Sequence, residues 1–195
     1  MPTKFRQIIQ VLTGTSLIGI GISLNYLANL GLGPWGVFHD GLSKTLNITY
    51  GRTIIITGIA VMLLWIPLKQ KPGIGTIIDI FLVGSVADLI IPNFRFSENV
   101  FISLILIFCG IILIGAGTAI YVGAGLGVGP RDGIMVGLEG LGLKIGMARN
   151  IIELLAFLIG WLLGGLVGYV TILFVIGIGP VVQKVLPYVD IRNGD

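Results

Sequence analysis

The chain has 195 residues, of which 55% are hydrophobic and 11% charged, with a mean hydropathy of +1.04. A soluble domain carries about 25% charged residues, so this composition leaves too little polar surface to solvate a globule in water and calls for a bilayer instead. The net charge of +3 does not point to nucleic acid, because Lys4, Arg6, Lys44, Arg52, Lys69, Lys71 and Arg95 sit singly or in pairs at the ends of apolar runs, as topology-setting charges do.

The N-terminal residues, with Lys4 and Arg6 ahead of an apolar run, mimic a signal peptide. The run Ile8–Leu30 is longer than a signal core and further spans follow it, so it is predicted to be a first membrane helix. Five more apolar stretches follow, at Thr53–Leu68, Gly73–Ile91, Val100–Val122, Ile151–Val167 and Gly168–Leu186. Each is bounded by charge, proline or glycine. Between them lie two short, glycine-rich, charged stretches, Gly33–Asn47 and Gly129–Leu143. Neither spans a bilayer comfortably, and both fit a short helix beginning at a proline, which is well tolerated in a first turn. The expected fold is therefore an all-α membrane protein. It forms one transmembrane domain over 1–195, with about six transmembrane helices and two short re-entrant or interfacial ones. The single cysteine, Cys109, lies inside an apolar run and reads as a small buried hydrophobe, with no disulfide framework available.

The two short stretches also suggest an internal duplication. Aligning Gly31-Leu32-Gly33-Pro34 with Gly127-Val128-Gly129-Pro130 places Gly19 and Gly21 on Gly115 and Gly117, and Gly41-Leu42 on Gly137-Leu138. After one-residue adjustments Arg52 meets Arg149, Thr76 meets Thr171, Gly84 meets Gly179 and Pro92 meets Pro187. The repeats run over about 8–93 and 98–188. If the short segments do not cross, each unit has three spans and the repeats are inverted. If they cross, each has four and the repeats are parallel. Lysine and arginine placement fits both arrangements equally. Burying His39, Asp40, Ser43 and Lys44 in one crossing favours the inverted one, since a charged side chain costs about 2.5–3.5 kcal/mol at a helix centre.

The string Gly129–Met135 (GPRDGIM), the run Ala148–Glu153 and the stretch Gly160–Gly165 resemble the YczE/YitT-type family of small bacterial membrane proteins, as do Gly31–Gly36 with His39 and the Gly73–Thr76 segment. One departure is Gly168-Tyr169-Val170-Thr171, where a Gly-x-Gly-Thr form is expected. The resemblance covers nearly the whole chain. It implies a multi-pass protein of the bacterial cytoplasmic membrane and supplies no reaction.

Candidate site residues are the charges inside apolar surroundings, because burying them needs a reason. Arg149 and Glu153 are four apart and share a helix face. Arg131 and Asp132 lie in the second Gly-Pro element, and these four form one expected wall of a polar site. His39, Asp40 and Asp79 form the other. For each, a structural ion pair or hydrogen bond competes with a role on a substrate or ion pathway. Gly31, Gly33 and Pro34, with Gly127, Gly129 and Pro130, are expected helix-break elements. Helix N-termini at such breaks are partly positive and receive anions. A lone histidine and lone cysteine argue against a metal site, and no cofactor is implied. Trp35, Trp65 and Trp161 fit interfacial positions, and Gly160, Gly164 and Gly168 permit close helix crossing.

No nucleotide loop or catalytic triad is visible, so an enzyme is not expected. The leading expectation is a small-solute transporter or channel with a polar site between the repeats, leaning toward a small anionic solute. The alternatives are an accessory or substrate-binding subunit of a membrane complex, including a homo-oligomer, and a lipid-binding or lipid-flipping protein.

Overall fold

Two prolines mark where the chain stops and restarts its helices: Pro34 and Pro130 each occupy the first turn of a short helix whose N-cap is a glycine, Gly33 or Gly129. Around them the structure, a computed structural model, describes residues 4–192 apart from the side chains at 172, 175 and 176. The described residues form α-helices throughout. In order these are α1 (Lys4–Ala28), α2 (Pro34–Leu46), α3 (Tyr50–Leu63), α4 (Ile74–Ile90, continued by a 3-10 turn Ile91–Asn93), α5 (Val100–Gly123), α6 (Pro130–Glu139), α7 (Ile145–Leu162) and α8 (Thr171–Val189). Four of them, α1, α4 with its 3-10 turn, α5 and α7, are each long and apolar enough to cross a membrane. Helices α2 and α3 reach that standard only together, as a pair bent by 109°.

Several expected boundaries move, for local reasons. Thr49 caps α3 by accepting the Arg52 N–H, so that helix starts before Thr53. It ends at Leu63, where turns carry the chain to Lys69. At about 1.5 Å per residue, its 14 residues fall short of a hydrocarbon core about 30 Å thick. Helix α7 begins at Ile145, ahead of the expected Ile151, and closes at Gly164, which has φ +80°. Gly164 therefore turns the chain instead of lining a helix face with Gly160 and Gly168.

Helices α1 and α5 run antiparallel in close contact, and glycines make the approach possible. A Cβ on Gly14 would stand 2.6 Å from the Gly117 carbonyl, and one on Gly21 would stand 2.7 Å from the Gly110 carbonyl. Helix α4 packs on α1, α8 on α5, α2 on α7 and α6 on α3. The α2–α7 crossing closes at Gly41, where a Cβ would lie 2.6 Å from the Gly160 carbonyl. The α3–α6 contact centres on Trp65, which is 2% exposed, packs over Gly133 and donates its indole N–H to the Pro130 carbonyl at 2.9 Å. Trp65 is thus a core residue and not the interfacial anchor expected.

The outer surface is apolar to a degree water would not tolerate. Phe101, Ile105, Phe108 and Ile112 on α5, and Leu154, Leu155, Leu158 and Leu162 on α7, are all exposed. Contiguous apolar surface of this extent marks a lipid-facing protein. Cys109, expected to be buried, is exposed on the same helix.

Candidate functional site

Three charged side chains, Asp79, Arg131 and Asp132, gather where α6 starts. Non-helical backbone from Gly125 to Gly129 leads into Pro130, and Gly127 adopts φ +140°. This strand of backbone is pinned to the start of α4. The Gly75 N–H donates to the Leu126 carbonyl at 2.9 Å, and the Thr76 hydroxyl donates to the Val128 carbonyl at 2.8 Å. Asp79, one turn beyond Thr76, and Asp132, in the first turn of α6, then converge on Gly129. Their Oδ2 atoms lie 3.8 and 3.2 Å from where a Cβ on that glycine would stand. An acidic side chain in a first turn is favoured by the helix dipole.

Arg131 points the other way, toward the first short helix. Its guanidinium stands over the Trp35 ring, 4.8 Å from the centroid, a cation–π geometry. Among the described residues Arg131 makes no ion pair within 4.0 Å. Its electrostatic neighbours are Asp79, Asp132, Tyr50 and Glu153. Beyond Trp35 lies an aromatic wall: the His39 ring is 6.2 Å from Trp35, 5.9 Å from Phe38 and 6.0 Å from Tyr50, and Tyr50 lies 4.3 Å from Tyr26. Two polar atoms facing this region are buried without a hydrogen-bond partner, the Trp35 Nε1 and the Tyr121 hydroxyl. Tyr121 is 2% exposed and lies beside Thr76, Asp79 and Asp132.

The two expected walls are regrouped. Asp79 joins Asp132 and Arg131. Asp40 leaves them and ties α2 to the turn before α8, where its carboxylate accepts from Lys44 Nζ at 2.8 Å, the Leu166 N–H at 2.7 Å and the Tyr26 hydroxyl at 3.2 Å. Lys44 also donates to the Gly164 carbonyl at 3.0 Å. Asp88 accepts from the Thr49 hydroxyl and the Gly51 N–H and so holds the start of α3. Arg149 and Glu153 form the expected pair at 2.9 Å, with the arginine side chain half exposed. The helix-break residues lie at the breaks as expected. Trp35 is partly buried beneath Arg131, and Trp161 is exposed. Among the described residues no group of three or more histidine, cysteine, aspartate or glutamate side chains is arranged to hold a metal ion.

Outside the helices, the Asp190 carboxylate accepts from both the backbone N–H and Nε of Arg192, at 3.0 and 2.9 Å. Those hydrogen bonds bring its pKa down to about 2.

The fold and its lipid-facing surface define a helical integral membrane protein. The chain belongs to the family described as "Family of unknown function (DUF6198)", which matches residues 5–187. It is 38% identical over 181 residues to an uncharacterized protein of Haemophilus influenzae, covering 92% of this chain and 83% of that one. It is 33% identical over 180 residues to the uncharacterized membrane protein YczE of Bacillus subtilis, covering 89% and 82%. The YyaS protein of Bacillus subtilis, also uncharacterized, is 28% identical over 182 residues, covering 91% and 90%. No solved structure matches the chain.

Proposed function

We propose that the chain is a small-solute transporter or channel of the bacterial cytoplasmic membrane, built from two inverted repeats, with Arg131, Asp132 and Asp79 as its polar site. The observation that carries this reading is Arg131: a guanidinium inside an apolar helical body, spread over Trp35 and without an ion pair among the described residues. Such a charge is costly in a membrane and marks a pathway by default. With the α6 N-terminus beside it, the arrangement suits a small anionic solute.

The contacts between helices support the duplication. The register that lays Gly31 on Gly127 also lays Gly14 on Gly110 and Gly21 on Gly117. The Gly14–Gly117 and Gly21–Gly110 approaches are therefore the same contact seen from each half. Gly19 meets Val86 and the Val83 carbonyl, as Gly115 meets Val181 and the Ile178 carbonyl. Gly73 abuts the Leu126 carbonyl, as Gly168 abuts the Leu30 carbonyl. Corresponding helices α1 and α5 run antiparallel, so a twofold exchanging them lies across their axes. That favours three-span inverted units, the architecture in which broken helices line a site and one repeat rocks against the other.

With the N-terminus inside, Lys69, Lys71, Arg131, Lys144 and Arg149 all fall on the inner side. The work done is movement of solute, without bond making. Purified protein in liposomes tests this: the reading predicts uptake or counterflow of small anions that Arg131→Gln removes. An inert protein that co-purifies with an ATPase module would replace it with the accessory-subunit reading, and lipid retained between the halves with the lipid-handling one.

A further inference from the structure

The halves differ most where they correspond most closely. The register that pairs Gly31 with Gly127 sets Trp35 against Arg131, Gly36 against Asp132 and Asn25 against Tyr121, and the register pairing Thr76 with Thr171 sets Phe174 against Asp79. The coordinates agree with these pairings. Phe174 lies on Gly33, its Cβ 3.2 Å from where a glycine Cβ would stand, just as Asp79 approaches Gly129. Phe174 is 6% exposed and packs with Ala28, Ile107, Ile111 and Val170. One copy of the junction holds Phe174 and, in the place of Tyr121, the buried amide of Asn25, itself without a hydrogen-bond partner. The other holds two carboxylates, a guanidinium and the unpartnered Tyr121 hydroxyl.

We propose that the charged junction, formed by Thr76, Asp79, Tyr121 and Asp132, binds one monovalent cation, an alkali-metal ion or a proton, and that its counterpart around Phe174 binds none. This deepens the transport reading, since such a cation would couple solute movement to a gradient, but it is separable from that reading. Charge balance is the first argument. When both are ionised, Asp79 and Asp132 carry two negative charges against the one positive charge of Arg131, while Arg149 and Glu153, which act on Asp132 from α7, neutralise each other. One positive charge is missing, and in low dielectric an uncompensated charge is expensive. The second argument is Tyr121. A buried hydroxyl without a partner costs about 1–3 kcal/mol, and this one, on α5, has Thr76 as its near neighbour and both carboxylates in its electrostatic surroundings. The third is the backbone: the non-helical stretch before Pro130 holds the carbonyls of Leu126 and Val128 beside Thr76, where each accepts one hydrogen bond from α4 and keeps a second lone pair, the type of oxygen that coordinates coupling ions at broken helices.

The test uses the purified full chain in detergent. Its unfolding midpoint is followed against sodium chloride replacing choline chloride at fixed pH and ionic strength. It is then followed against pH in choline alone, together with the infrared C=O stretch of protonated carboxyls. A saturable rise with sodium identifies an alkali-metal ion. No sodium response, with a rise on acidification that tracks one carboxyl proton, identifies a proton. Either response is expected to be lost in Asp79→Asn. Tyr121→Phe removes only the hydroxyl near Thr76, so it is expected to fold and to shift the response to several-fold higher cation concentration. The proposal is overturned if neither response occurs, or if Tyr121→Phe and Asp132→Asn respond like the wild type. A saturable response in a protein that moves no solute would remove the transport reading and leave this one. Solute uptake indifferent to both cations would do the reverse.

Discussion

The two Gly-Pro junctions, at Gly33 and Gly129, meet where Arg131 stands over Trp35, and they differ in what surrounds them. Around Gly33 the chain places Phe174, Trp35 and Gly36; around Gly129 it places Asp79, Arg131 and Asp132. The first region is held by packing, the second by charge that the described residues do not fully balance. A scaffold needing both junctions only for stability would gain by filling both with hydrocarbon, because a well-packed apolar group usually matches or outperforms a buried ion cluster. On the cation proposal, the charged junction is retained for what it binds.

Substitutions can break or sharpen this contrast. The largest effect is expected at Phe174, where Phe174→Ala empties a packed site and should lower unfolding stability by about 3–5 kcal/mol, read by chemical or thermal denaturation in detergent. Asp40→Ala comes next. Its carboxylate holds Lys44, Tyr26 and the Leu166 N–H, and hydrogen bonds to a charged group are worth about 1.5–3 kcal/mol. The loss should fall on stability and spare any cation response at Asp79, a separation visible when both are measured on one preparation. Arg149→Ala is expected to cost more than the about 0.3–0.5 kcal/mol of a fully exposed helix pair, because Glu153, 19% exposed, is left without its partner.

The smallest effect concerns Asp190. Its folded pKa lies below the ordinary carboxylate value, so whatever stability its contact with Arg192 contributes is present above about pH 4 and fades as pH falls toward about 2. Asp190→Asn should leave the unfolding midpoint at neutral pH almost unchanged and remove that acid-side dependence.

The membrane character and both helix breaks were legible in the sequence, because composition and a proline after a glycine act locally. The start of α3 was not, since it depends on Thr49 and on Asp88 reaching across from α4. The sharp bend between α2 and α3 equally belongs to tertiary packing. Spacing along the chain also did not show which of Asp40 and Asp79 would meet Arg131: Asp40 shares the first short helix with His39 yet turns to the α7–α8 connection, while Asp79 is distant in sequence and close in space. Trp65 was misread for a related reason. Tryptophans at the ends of apolar runs suit a membrane interface and a helix junction alike. Tyr121 carried no signal beyond its place in an apolar run, and its importance comes from an unpartnered hydroxyl that only coordinates reveal.

The measurement that bears most directly on the contrast is the unfolding stability of Asp79→Leu. If Asp79 is the excess negative charge of the junction, Asp79→Leu leaves Arg131 balanced by Asp132 and should keep stability close to that of the wild type, while abolishing the cation response. A loss approaching that of Phe174→Ala would contradict the account, because it would make Asp79 a structural member of the core like its counterpart.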